Sequence, residues 1–284
     1  MNEHTIQVKI SCPACKRGGN INFEESFLKN NPKGITAVKI EEEIICEHSF
    51  ICYIDKNFIV RDSYACDFKI QLPQIKAKFD EIPIADIDFD MDIIKLNLMP
   101  SSLVNVIKGV LHKKKILLLT DQDFLSLHFL RFFQYIFKSS FNSKISIISY
   151  QDYKKNKKNY KEYLVLDGVK IIQDKEKIIK NSPSKIEQII VQKFYTEFDQ
   201  LSSLIIIKNE IGKISRIIQD ILAFNNKLKE DETLYSKYLL EYLNKLYYAN
   251  IKLPYLNFLL DVAETYFNAK LKRPNNMVDF FGLV

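Results

Sequence analysis

Lys115-Ile-Leu-Leu-Leu-Thr120 is a short apolar run closed by a threonine, and the residues behind it, 123–138, repeat apolar side chains at helical spacing. A run of this length reads as a strand buried on both faces, and the longer periodic stretch reads as a helix. Lys144-Ile-Ser-Ile-Ile-Ser149 and Tyr163-Leu-Val-Leu-Asp167 renew the strand signature, and 170–173 offers another. Strand, helix, strand, polar loop and strand in that order predict a small parallel α/β sheet with helices packed on it. Upstream, Ser101 or Ser102 caps a helix that runs to about residue 112. From residue 184 onward helical spacing takes over, across 184–224, 232–249 and 254–272, with Asn225-Asn226 and Pro254 as breaks.

The first 75 residues read differently. Alternating or β-rich runs at 5–10, 36–40, 43–46, 50–54, 58–61 and 67–72 are separated by Gly18-Gly19-Asn20, by 30–34 and by Asp55-Lys56-Asn57, which read as turns. The predicted class is therefore α+β / α/β in five parts. A β-rich zinc-ribbon-like module spans 1–75, an acidic linker 76–100, a small α/β domain 101–182, a helical bundle 183–272 and a tail 273–284. In the linker, Asp86, Asp88, Asp90 and Asp92 alternate with Ile87, Phe89 and Met91, a pattern that suits an edge strand with one wet and one apolar face.

Composition removes several classes of function. Only 7 glycines serve 284 residues, and the adjacent pair Gly18-Gly19 is followed by neither GK[ST] nor a third nearby glycine, so a glycine-rich nucleotide cradle is excluded. No GxSxG elbow and no HExxH is present. Net charge is +1 over 1–79, −5 over 80–99 and +10 over 100–284, yet arginine occurs only at 17, 61, 131, 216 and 273. Arginine is the residue that forks onto phosphate and guanine, so nucleic-acid recognition is weakly supported and the lysines, including the run 154–158, read as solvated surface. There is no apolar run long enough to span a membrane and no signal peptide at Met1, which predicts a cytoplasmic protein.

Cysteine spacing carries more. Cys12-Pro-Ala-Cys15 places two thiols on one tight turn, the shape of a zinc knuckle, and Cys46-Glu-His48 supplies a second pair on residues that share one side of a strand. This predicts structural Zn²⁺ held by Cys12, Cys15 and Cys46, with His48 as fourth ligand, Cys52 as the alternative and Cys66 behind it. A redox use of Cys12 and Cys15 would need the motif to open a helix, and Lys16-Arg17-Gly18-Gly19 opens helices poorly. The CPxC knuckle, the Cys46-Glu-His-Ser-Phe50 strand and the Asp55-to-Arg61 hairpin resemble the N-terminal module of uncharacterised archaeal zinc-ribbon proteins. The resemblance covers roughly residues 8–72, implies cytoplasmic zinc binding and brings no activity with it.

Two other constellations stand out. Asp121, Asp152 and Asp167 fall at or beyond the carboxyl ends of predicted strands, where three acids can hold Mg²⁺, although helix caps and a hairpin turn use the same residues. Phe124, Phe129, Phe132, Phe133, Tyr135 and Phe137 read as a helix core. In the tail, Met277, Phe280 and Phe281 follow Pro274 with the spacing of the short peptide by which replication and repair proteins plug a sliding clamp; Pro274 stands where that peptide has glutamine. The leading expectation is a non-enzymatic zinc-stabilised adaptor that docks protein partners. The rival is a Mg²⁺-dependent nuclease recruited to a clamp, and a zinc-ribbon nucleic-acid module stands third.

Overall fold

The computed structural model describes residues 5–26, 34–65, 72–74, 88–181, 184–197, 199–229 and 232–273. Strands β1 (Thr5–Ser11) and β2 (Gly18–Glu24) form an antiparallel hairpin, and β3 (Ile35–Ile40), β4 (Phe50–Asp55) and β5 (Val60–Ala65) a three-stranded antiparallel sheet with β4 in the middle. The antiparallel N-terminal region, a mixed sheet and C-terminal helices match the predicted class. Two details differ. Gly18-Gly19-Asn20 begins β2 instead of making a turn, because the knuckle at 12–17 already reverses the chain and pairs Ser11 with Gly18. Residues 43–46 are not a strand; Glu43 takes a positive φ and donates its N–H to the Cys46 carbonyl. The reading of 67–72 as a strand falls largely outside the described residues.

Every residue of β4 is buried, and the alternation of a strand divides it between two cores. Phe50, Cys52 and Ile54 join Val8, Ile10, Cys12, Ile40 and Cys46 in a small core inside the module. Ile51 and Tyr53 face the other way, into the large core shared with the helices. There Tyr53 is within hydrogen-bond distance of Tyr64, 2.9 Å between hydroxyls, and lies edge-on to Tyr195, while Tyr64 donates to the Gln188 carbonyl.

Within the stretch read as a linker, residues 91–97 are a helix, α1 (Met91–Asn97). Asp90 accepts from the N–H groups of Asp92 and Ile93, and Met91 and Ile94 are buried. An N-cap aspartate with apolar residues three apart outweighs the two-residue alternation. Helix α2 (Pro100–Leu111) starts on proline at its first turn and has no side-chain cap of its own; the Ser101 N–H donates instead to Asp62 on β5.

The second sheet has the order β7-β6-β8-β9, from β6 (Lys115–Leu119), β7 (Lys144–Ile148), β8 (Tyr163–Asp167) and β9 (Lys170–Gln173). β6 is parallel to both neighbours and β9 is antiparallel to β8. One face of the sheet, with Ile116, Leu118, Leu164 and Leu166, enters the large core beneath α2 and α3 (Asp123–Phe137). At Gly109 a side chain would meet Ile116 and Leu164 at 2.9 Å, which is why α2 can lie close on the sheet. The other face, with Leu117, Leu119 and Val165, is covered by Tyr153 of α4 (Tyr150–Asn156) and by Tyr160. The lysine run 154–158 is thus mostly helix, not loop. Of the aromatic stripe, Phe129, Phe132, Phe133 and Phe137 are core as expected, whereas Phe124 is exposed.

After the four-residue α5 (Ile178–Asn181), the C-terminal helices are α6 (Lys185–Thr196), α7 (Gln200–Lys227), α8 (Ser236–Tyr247) and α9 (Leu253–Thr265). The single helical stretch read over 184–224 is two helices, because Asp199 caps α7 by accepting from the Ser202 N–H. Among the described residues no helix is long and apolar enough to cross a membrane. The tail residues Met277, Phe280 and Phe281 lie outside the described residues.

Candidate metal centre

Two loops build the centre. The first joins β1 to β2: Cys12 donates its N–H to the Arg17 carbonyl and accepts from the Lys16 N–H, both at 2.9 Å, and Lys16 takes a positive φ of 63°. That tight turn brings Cys12 and Cys15 round to one side. The second loop joins β3 to β4 and carries Cys46 and His48. Gly19 fits the two loops together, since a side chain there would press on Ile45 at 3.0 Å.

The ligand atoms of Cys12, Cys15, Cys46 and His48 all lie within 4.8 Å of one another. Cys46 Sγ is 3.7 Å from His48 Nδ1. Among the described residues this is the group of three or more His, Cys, Asp and Glu side chains close enough to hold one metal ion. Cys12 and Cys46 are buried and Cys15 and His48 exposed, so the centre sits at the rim of the module core.

The sulfurs are poised for this. Burial pushes the Cys12 thiol up, but the backbone of Cys15 and Ala14 and the Cys46 and Cys15 thiols outweigh it and hold Cys12 below the ordinary value. The His48 backbone draws Cys46 down, while burial and the Cys12 and Cys15 sulfurs push it up, and the net direction is up. Neighbouring thiols that pull apart in this way behave as one coupled group. A cation among them would favour the thiolate at all three.

Cys52, the alternative fourth ligand, is fully buried among apolar side chains and outside this group. Burial, followed by the charges of Asp62 and Cys12, pushes its thiol up to about 12, so it stays protonated and serves as a small apolar residue. Cys66 lies outside the described residues. The hairpin that follows is fixed by Asp55, which accepts from the N–H groups of Asn57 and Ile59 and faces the Arg61 guanidinium at 3.4 Å.

The three aspartates at the strand ends do not form a second such group. Asp152 lies in the first turn of α4, where its N–H donates to Ser149 Oγ and its carboxylate accepts from the same hydroxyl at 2.8 Å. Asp121 accepts from the Tyr150 N–H at 2.9 Å, and Asp167 closes β8 before Gly168, whose φ is positive. His128 is occupied too, its Nδ1 accepting from the Asp90 N–H. No protein-family model, curated protein or solved structure matches this chain.

Proposed function

We propose that Cys12, Cys15, Cys46 and His48 bind one Zn²⁺ as a structural centre, and that the protein is a non-enzymatic adaptor whose zinc module and helical body dock protein partners. The observation that carries this reading is the donor set itself. Zn–S bonds of about 2.3 Å and Zn–N bonds of about 2.0 Å in a tetrahedron place the donor atoms roughly 3.5 to 3.8 Å apart, and the Cys46 to His48 separation of 3.7 Å falls in that range. Three sulfurs and one imidazole are a ligand set that zinc favours, and with four protein ligands no position is left for a substrate or a reactive water. What the ion supplies is folding free energy for a module whose own core is only a handful of side chains.

The adaptor reading is further supported by apolar side chains left in water on that module, Ile44 beside the metal loop and Ile59 on the hairpin. The tail spacing of Met277, Phe280 and Phe281 supplies a candidate docking peptide, and a sliding clamp is the partner to try first. The resemblance to archaeal zinc-ribbon modules agrees with the metal assignment and adds no reaction. The nuclease reading loses ground, since Asp121 and Asp152 are held by a backbone amide and a capping serine.

Cobalt substitution tests the centre. The Co²⁺ form should show the visible bands of a tetrahedral thiolate site, and stripping it with a chelator should open β1 to β5 to protease while the helical body resists. An octahedral cobalt spectrum, or a metal-free module as resistant as the loaded one, would contradict the proposal.

A further inference from the structure

The chain leaves β6 toward β7 on one side and later returns to β8 on the other, so the segments that follow β6 and β8 diverge at the centre of the sheet. Such a switch point, outside the carboxyl ends of parallel strands, is where open α/β sheets bind ligands. Here it holds a cavity of about 330 Å³, within the size range of small-molecule sites. Leu118 and Leu166 from the strands and Leu125 and Phe129 from α3 make an apolar wall.

On the lining, Ser102, Asp121 and Asp167 keep hydrogen-bonding capacity that the protein does not use, as does the exposed Gln122 amide. Ser102, on the first turn of α2, is only 3% exposed, lines the cavity and makes no side-chain hydrogen bond among the described residues. Its hydroxyl therefore has bonding capacity that a guest in the cavity can take up. The Asp167 carboxylate makes neither hydrogen bond nor ion pair among the described residues. Asp121 uses Oδ1 for the Tyr150 N–H and leaves Oδ2. Among the described residues no lysine, arginine or histidine lines the cavity.

From these groups we infer that the crevice binds a small organic cation, an ammonium carried on a short apolar body. A phosphate or carboxylate would meet two like charges with no cation to balance them. A purely apolar guest would leave Ser102 and both carboxylates unpaired. A bare divalent cation would leave the wall of Leu118, Leu125, Leu166 and Phe129 uncovered, and among the described residues no third acid joins the two. An ammonium brings three donors for Asp167, Asp121 and Ser102, and its alkyl or aryl portion covers the leucines and Phe129. The same chemistry is offered by a free amine or by a lysine side chain, and the cavity volume favours the free amine.

The test is calorimetric titration of the full metal-loaded chain with hexylamine, hexanol and hexanoate at neutral pH, beside a lysine-containing tripeptide. Hexylamine should bind saturably while hexanol and hexanoate do not. Asp167→Asn should weaken hexylamine about tenfold or more, and Ser102→Ala about threefold. Binding by the tripeptide at equal strength would assign the site to a protein lysine without changing its chemistry. The inference is overturned if hexylamine fails to bind up to about 10 mM, if hexanoate binds as well as hexylamine, or if both variants, folded by circular dichroism, bind it like the parent. Asp121→Asn serves in place of Asp167→Asn should the latter not fold. None of these outcomes bears on the zinc centre, which lies in another part of the chain.

Discussion

Among the described residues of the helical body, Glu187 is the deeply buried carboxylate that is pushed far from its usual range, and its removal has a calculable signature. It sits on α6 with 3% of its surface exposed, and burial, eased by its own backbone and by the nearby charge of Lys108, raises its carboxyl from 4.5 to about 7. Burial also lowers Lys108, whose ammonium donates to Ser184 Oγ at 3.2 Å. A carboxyl whose folded value exceeds its unfolded value holds its proton more tightly in the fold. The stability it contributes is therefore full below about pH 4.5 and is lost as pH rises through 7. The difference between about 7 and 4.5, at 1.36 kcal/mol per unit, corresponds to about 3 kcal/mol in all. Roughly 1 kcal/mol of it falls between about pH 6 and 8.5, a window in which thiolate and imidazole ligands keep their metal. Glu187→Gln retains the shape and removes the titration. Guanidinium unfolding of the metal-loaded chain, followed by circular dichroism at both ends of that window, should show the parent losing about 1 kcal/mol more than the variant. Equal pH slopes in the two proteins would refute the reasoning, because they would mean that Glu187 titrates in the fold as it does in the unfolded chain.

Other perturbations report on the joint between module and body, on a helix cap and on the tail. Tyr53→Ala empties a fully buried site on β4 and should destabilise the chain by about 3 to 5 kcal/mol in the same unfolding assay, whereas Tyr53→Phe, which leaves Tyr64 its bond to Gln188, should cost only about 0.5 to 1.5 kcal/mol. Ser149→Ala removes the cap of α4 and should cost about 1 kcal/mol, seen as faster amide exchange in 150–156; unchanged exchange would mean the cap is not used. If residues 274–284 are a docking peptide, deleting them should leave the melting temperature nearly unchanged and abolish capture by a sliding clamp, while burial against the chain's own helices would lower the melt by several degrees.

The α/β part of the fold was legible because its signals are local and strong. The strands at 115–120, 144–149 and 163–167 end within a residue of their predicted bounds, since each is a short apolar run whose length and flanking polar residues decide against a helix. The helix at 91–97 was missed because alternating acids and apolar residues fit a strand as well as a capped turn, and only packing of Met91 and Ile94 against the large core decides. Gly18 to Asn20 looked like a turn because glycine marks turns and also close approach, and its role here is the approach of Ile45. Cys12, Cys15, Cys46 and His48 were legible from spacing, whereas Cys52 could be set aside only once the pleat of β4 turned it into the apolar core. Ser102 shows the limit of local reading. As a sequence it is a capping candidate, and its place on a cavity wall depends on strands that arrive far later in the chain.

Metal content measured beside a single substitution tests the central claim most directly. Inductively coupled plasma mass spectrometry of the purified chain should find about one zinc per molecule, and the Cys46→Ser variant close to none, since three remaining ligands bind far more weakly than four. A parent chain without zinc, or a Cys46→Ser variant that carries as much as the parent, would contradict the account.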